Sequence, residues 1–395
     1  WVLDKFTIEM TSPRYMPLIG YPEAWSASTS GELSGTPVFL GDLTQAQLSE
    51  VKDKLQGRIV LGQAIPTSYE REDRPQPTLF DHPVAIGQPR PPAGNRPGLT
   101  QQDLLKLWKE GKPGVVLRPN RGEHGTLFVL GSDRGDDAFP SVILSSEHYN
   151  MIARMLQRGI DVKLRTNVQT HYLTDDKNSY NVIAEIPGSD PVLKNEVVMI
   201  GGHLDSWHSS TGATDNADGA AVVMEAMRIL KAIGAKPKRT IRVALWSGEE
   251  EGLLGSKKYV EDHLKGDANK AARERLYVYL NIDPGTGPIY GWYMENNEAA
   301  KQVFDAWLEP FKDLGARKNI LQGITNTDHL SFTKEGIPGF NPVQEYVNYD
   351  VRTHHTNVDT FERVKPEDLK QCAVVMASFA YHAAMREGRF PSAGK

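Results

Sequence analysis

The sequence holds a single cysteine, Cys372, among its 395 residues. An internal disulfide and a thiolate metal cluster are thereby excluded, and Cys372, inside an apolar helical stretch, reads as a core residue. Basic residues are not in excess either: 45 Lys and Arg stand against 50 Asp and Glu, a net charge of −5. Such a chain offers no broad attraction to a polyanion, so nucleic acid is not an expected partner. No run reaches the ~18–20 apolar residues that a membrane span requires; the most apolar stretches, around 196–200 and 241–246, have the length of buried strands. The chain opens at Trp1, with neither an initiator Met nor a basic-then-apolar targeting segment. What is present is ample core-forming material, 39% hydrophobic and 8% aromatic residues. That excludes a disordered chain, and the length suits about two domains.

The first ~170 residues differ in texture from the rest. Pro75, Pro77, Pro83, Pro89, Pro91, Pro92 and Pro97 crowd a stretch that breaks both helices and sheet ladders. Around it, strand-like pieces are expected over 37–40, 58–61, 114–117, 126–130 and 141–144, with helices over 45–54, 101–110 and 147–158, the last capped by Ser145 or Ser146. This reads as a smaller, β-rich α/β accessory domain. After His171 the alternation becomes regular. Strands are expected over 181–186, 196–201, 240–247, 276–282 and 339–343, and helices over 218–235, 253–264, 297–314, 328–334 and 366–386. The fold class is therefore α/β: a mixed, mostly parallel central sheet with helices on both faces.

In open sheets of this kind functional groups gather at the carboxyl ends of strands. Here those ends carry His203 and Asp205, Glu249, Glu250 and Glu251, and Asp283; Asp215 opens a helix, and His354 and His355 follow late in the chain. Oxygen and imidazole ligands without thiolates suit a catalytic divalent ion better than a structural zinc site. His203, Asp215, Glu250, Asp283 and His355 suffice for two ions if one carboxylate is shared, and two ions about 3.5–4 Å apart polarise a carbonyl and acidify a water. So many carboxylates without cations would repel one another strongly. Glu249 and Glu250 are adjacent and point different ways, so one can ligate while the other serves as general base. Asp205, two residues past His203, is placed to orient its imidazole.

These motifs resemble the co-catalytic zinc exopeptidases. The resemblance spans most of 179–386 and rests on Gly202-His203-Leu204-Asp205-Ser206-Trp207, Thr214-Asp215-Asn216, Trp246-Ser247-Gly248-Glu249-Glu250-Glu251-Gly252, Asp283-Pro284-Gly285 and His354-His355-Thr356. It implies one zinc ion on His203, Asp215 and Asp283 and a second on Asp215, Glu250 and His355. Glu249 would be the general base and His354 would stabilise the oxyanion. The smaller part is similar to the protease-associated domain that many members insert. The implied division is 1–28 as an incomplete amino-terminal part of the catalytic domain, 29–170 as the inserted domain and 171–395 as the catalytic domain. By the same analogy the protein is secreted or periplasmic.

The implied activity is hydrolysis of short peptides, an aminopeptidase by family frequency. The His-His and Ser-Trp details point instead to a carboxypeptidase or dipeptidase of the plasma glutamate carboxypeptidase type, for which a cation such as Arg352 would hold the substrate carboxylate. A receptor-like binding module and a one-zinc glutaminyl cyclase on the same fold are the alternatives. A homodimer is compatible with these readings. His124, His148, His171, His208, His329 and His382 read as structural, Glu251 as solvated, and Asp328 as a helix cap close to the site.

Overall fold

The computed structural model describes residues 1–41, 43–66, 72–84, 100–283 and 285–392. Much of the proline-rich stretch, and Pro284, lie outside the described residues. The larger region is built on a six-stranded sheet in the spatial order Val182–Ile186, Thr240–Trp246, Val197–His203, Leu276–Asn281, Gly339–Val343, Gly291–Tyr293. The three inner pairings are parallel and the two outer ones antiparallel. This is the mixed α/β sheet that the strand–helix alternation predicts.

Alternation along Val197–His203 explains why both faces are covered. Val198 and Ile200 are fully buried against Val222, Val223, Phe304, Val375 and Phe379, which come from helices Asp218–Ala232, Glu298–Leu308 and Pro366–Met385. Met199 points the other way, into a cluster with Trp246, Val260, Tyr279 and Phe332. Two fully buried layers leave the carboxyl edge of the parallel strands as the place where polar side chains reach solvent. Among the described residues no helix is long and apolar enough to cross a membrane.

The smaller region contains a five-stranded sheet, Gly20–Pro22, Ser141–Leu144, Val115–Pro119, Ile59–Leu61 and Val38–Phe39, parallel except at the Gly20–Pro22 edge. Helix Ser146–Gln157 begins where expected, the Ser145 hydroxyl accepting from the His148 amide at 3.3 Å. One departure stands out. Residues 126–130 form no strand: Leu127 and Val129 bond instead to Asn357 and to the His355 carbonyl, as described below. The segment 1–28 touches both regions: Trp1 packs on His208 and Trp25 on Trp207 of the larger one. Strand Val2–Ser12 runs antiparallel to Lys163–His171, and Ile8 and Met10 are buried with Leu117, Val142 and Leu164. Phe6, Ile8 and Met10 recur with period two, so one face of this strand belongs to the smaller core.

Candidate metal centre

Every candidate residue arises at the carboxyl edge of the six-stranded sheet. His203 is the last residue of its strand, Asp283 follows Leu276–Asn281, and Glu249 and Glu250 follow Thr240–Trp246. Asp215 lies in the turn Ala213–Ala217 before helix Asp218–Ala232. That turn needs Gly212 in left-handed backbone (φ +61°), where an added Cβ would also sit 2.1 Å from Ser206 Oγ. His354 and His355 close the loop beyond Tyr349–Thr353.

These side chains converge. His203 Nε2 is 3.4 Å from Asp215 Oδ1 and 3.7 Å from Asp283 Oδ1. On the other side His355 Nε2 is 3.3 Å from Asp215 Oδ2 and 2.9 Å from Glu250 Oε2. Asp215 thus lies between two imidazole–carboxylate pairs, one oxygen toward each. His354 adds a third imidazole, its Nε2 3.9 Å from Asp215 Oδ2, with its ring stacked on Tyr349 at 4.9 Å.

The hydrogen-bond census at these atoms fits cations. The buried atoms His203 Nε2, Asp215 Oδ2 and Glu250 Oε1 have no hydrogen-bond partner among the described residues, where such atoms are nearly always paired. His203 Nδ1 lies 3.0 Å from the Asp205 carbonyl oxygen. A carbonyl only accepts, so Nδ1 carries a ring hydrogen, and Nε2 is the nitrogen that offers a lone pair inward once a cation displaces its proton. His203 is therefore oriented by the main chain of Asp205, whereas the Asp205 carboxylate stands 3.6 Å from the ring. That carboxylate instead accepts from the amides of Glu249 (3.1 Å) and Glu250 (3.2 Å), shaping the turn on which both glutamates stand.

Electrostatics point the same way. Burial opposes charge on His203, yet the surrounding carboxylates of Asp205, Asp215 and Asp283 hold it well above its usual value. Burial likewise opposes ionisation of Asp215, but facing His203, His355 and His354 keep it below the ordinary carboxylate range. The remaining acids cannot all ionise together. Burial and the Asp215 charge push Glu250 up to about 7, and burial and the Asp283 charge push Glu249 far above the carboxylate range. Burial, with the charge of His355, drives His354 down to about 3. A cluster that retains protons for want of positive charge is one that binds cations tightly once they displace those protons.

Two contributors were not singled out from the sequence. Asp328, expected to cap a helix, makes no side-chain cap bond. It is fully buried, neither carboxylate oxygen has a hydrogen-bond partner among the described residues, and burial raises it to about 7. Asp359 accepts from the amides of Thr214 (2.8 Å) and Asp215 (3.1 Å) and, through its carbonyl, from the hydroxyls of Ser210 and Thr211. It fixes the backbone carrying Asp215. Asp359→Ala is expected to lower zinc affinity by roughly 10–100-fold, as loss of such support does elsewhere, measured by competition against a chromophoric chelator.

The smaller region closes the other side. Val129 donates to the His355 carbonyl at 3.1 Å, and Asn357 receives the Leu127 amide at 2.7 Å. His355, at φ +62°, is held in left-handed backbone by this docking. A cavity of about 640 Å³ opens between the regions, lined by Asp215, Glu249, Glu250, Asp283, His354 and His355 together with the cations Arg74, Lys257 and Lys334. Arg352 is absent from that lining; it donates to the Glu123 carbonyl and Thr126 Oγ1, each at 3.2 Å.

The family model for Peptidase family M28 matches residues 181–380. The chain belongs to that family. It is 30% identical over 259 residues to carboxypeptidase Q of Rattus norvegicus, covering 65% of this chain and 52% of that protein. Leupeptin-inactivating enzyme 1 of Streptomyces exfoliatus is 34% identical over 175 residues, covering 44% of this chain and 37% of that protein. The chain thus spans about half the length of the carboxypeptidase Q relatives it matches. Among solved structures, a peptidase M28 precursor from Shewanella amazonensis superposes with a TM-score of 0.71 at 26% identity, over 100% of this chain and 84% of that one. A zinc aminopeptidase from Bacillus subtilis, at 18% identity, shares the fold with a TM-score of 0.61 over 100% of this chain and 86% of that one.

Proposed function

We propose that the chain is a zinc-dependent exopeptidase acting on short peptides, with His203, Asp215 and Asp283 holding one ion and Asp215, Glu250 and His355 a second. The observation that carries this reading is Asp215: its two oxygens face separate imidazoles at 3.4 Å and 3.3 Å, as a carboxylate shared between two cations requires. When bound, such ions polarise a carbonyl and lower the pKa of a water. The chain's own residues do the remaining work. Glu249, on the cavity wall beside these ligands, takes a proton from the attacking water and returns it to the leaving amine. His354, held flat against Tyr349, faces the oxygen on which charge develops. Asp205 and Asp359 keep the two carboxylate-bearing turns in place.

Aminopeptidase action is the commoner activity by family resemblance. A carboxypeptidase or dipeptidase reading is favoured by the cations lining the same cavity. Secreted or periplasmic placement, and the smaller region as a protease-associated domain, form part of the proposal by the same resemblance. In purified protein, removal of metal by a chelator should abolish hydrolysis of short peptides, and about two equivalents of zinc should restore it. Full activity at one equivalent, with cyclisation of amino-terminal glutamine, would identify a cyclase; zinc binding without any turnover would identify a binding module.

A further inference from the structure

Residues 72–84 of the smaller region cross the larger one and are tied to it along their length. Asp73 accepts from the amides of Asn348 (2.7 Å) and Val351 (3.1 Å). Gln76 Nε2 donates to the Gln344 carbonyl at 2.7 Å, Lys318 Nζ to Asp81 at 2.7 Å, and Val84 exchanges two hydrogen bonds with the Gln322 side chain. Between these anchors Arg74 enters the cavity wall with only 7% of its side chain exposed. Its Nε and Nη2 donate to the two oxygens of Asp350 at 2.8 and 2.7 Å. Its guanidinium carbon stands 4.9 Å from the Tyr346 ring centre and 5.5 Å from that of Tyr349. These contacts occupy one edge of the fork. Nη1 has no hydrogen-bond partner among the described residues.

A tether alone does not call for this construction. Asp73 already holds the 348–351 loop, and a buried ion pair carries a desolvation cost that an apolar contact would avoid. A guanidinium fixed by a carboxylate and two rings, with a donor edge that no described residue occupies at a cavity, is instead arranged for planar recognition of an anion. Its position suits one particular anion. Three contacts link it to the candidate metal centre: Arg74 to Asp350, Asp350 Oδ1 to His354 Nδ1 at 3.6 Å, and His354 Nε2 to Asp215 Oδ2 at 3.9 Å. Arg74 and Asp215, Glu250, Asp283 and His355 of that centre line one and the same cavity.

We propose that Arg74 binds the free terminal carboxylate of the substrate through the Nη1 edge of its guanidinium, so that the cavity takes dipeptides and other short peptides with an unblocked carboxyl end. This assignment rests on the exopeptidase reading above. Lys257 and Lys334 line the cavity as well, but both are exposed, and Lys257 Nζ is engaged by the Gly252 carbonyl at 2.6 Å.

The test compares kcat/KM for a dipeptide and for its carboxamide, using zinc-loaded wild type, Arg74→Lys, Arg74→Met/Asp350→Asn, Lys257→Ala and Lys334→Ala. The double variant removes cation and partner together, so that no buried charge is left unpaired. Wild type should prefer the free carboxylate by on the order of 10–100-fold, the scale of a charge-assisted hydrogen bond. That preference should shrink several-fold in Arg74→Lys and vanish in the double variant, while both lysine variants retain it. Equal use of both substrates by wild type, parallel loss of both in the Arg74 variants, or loss of the preference in a lysine variant instead overturns the assignment. Calorimetric titration of zinc-loaded wild type with an N-acetylated amino acid and with its amide supplies a readout free of turnover and of folding defects in variants. Tighter binding of the acid supports the Arg74 assignment even if no peptide is cleaved, and equal binding defeats it even if peptides are cleaved.

Discussion

Glu249→Ala is expected to abolish peptide turnover while leaving bound zinc in place. The two neighbouring glutamates sit on one turn whose amides are both gripped by the Asp205 carboxylate, yet they face different surroundings. Glu250 reaches His355 at 2.9 Å and belongs to the ligand cluster. Glu249 is pressed against the same acids on the cavity wall, and burial with the Asp283 charge makes its carboxylate unusually basic. Cations bound beside it would draw that basicity down toward the range in which a group both accepts and returns a proton near neutral pH. Loss of a positioned base typically costs about 10²–10⁴-fold in rate. The measurement is kcat on a short peptide together with zinc content. Glu250→Ala should differ in kind, losing metal as well as activity. If Glu249→Ala shed zinc in the same way, Glu249 would be a ligand, and activity close to wild type would remove it from the reaction altogether.

That contrast between adjacent residues is legible in the sequence because the α/β alternation is local and the chemistry clusters at strand ends. His203, Glu250 and Asp283 meet because each terminates, or closely follows, a strand whose pattern is plain in the sequence, and Asp215 because it opens the helix Asp218–Ala232. Less of the smaller region was legible, for the opposite reason. Strand Val2–Ser12 finds its partner in Lys163–His171, far along the chain, and nothing in either segment names the other. Residues 126–130 have the composition of a strand, but the amides of Leu127 and Val129 are taken by Asn357 and the His355 carbonyl, a docking between regions that no periodicity announces. Asp205 was expected to steer His203 with its carboxylate; the shorter path runs through its carbonyl, which frees the carboxylate for the glutamate turn. Arg74 stands at the edge of a proline-rich stretch, in the mixed-charge run Glu70-Arg71-Glu72-Asp73-Arg74, where nothing signals that its neighbours in space are Asp350 and two tyrosines.

Metal-free protein is expected to lose stability as pH rises from about 5 to 7, the reverse of ordinary acid denaturation. The sign follows from which state holds more protons. In the folded chain Glu250 and Asp328 are pushed up to about 7, and Asp359 to about 6. In the unfolded chain such carboxyls ionise near ~4. Between those values the folded state keeps protons that the unfolded state has released, so stability falls with rising pH. His203, held above its ordinary value, acts in the same sense at higher pH: its stabilisation is complete below ~6.5 and is lost as pH climbs through the raised value. Asp215 acts oppositely, being held low; its contribution is present above ~4 and fades in stronger acid. Each pKa unit is worth ~1.4 kcal/mol. These coupled acids do not add fully, so a loss on the order of 3–5 kcal/mol is expected across the window. Zinc should invert the trend, because its ligands bind it deprotonated and its stabilisation grows as protons leave. Urea unfolding of chelator-stripped and zinc-loaded protein at pH 5 and pH 7 checks both halves. Stripped protein more stable at pH 7 than at pH 5 would mean that these buried carboxylates are not in conflict, and the physical case for a pair of cations among them would fail.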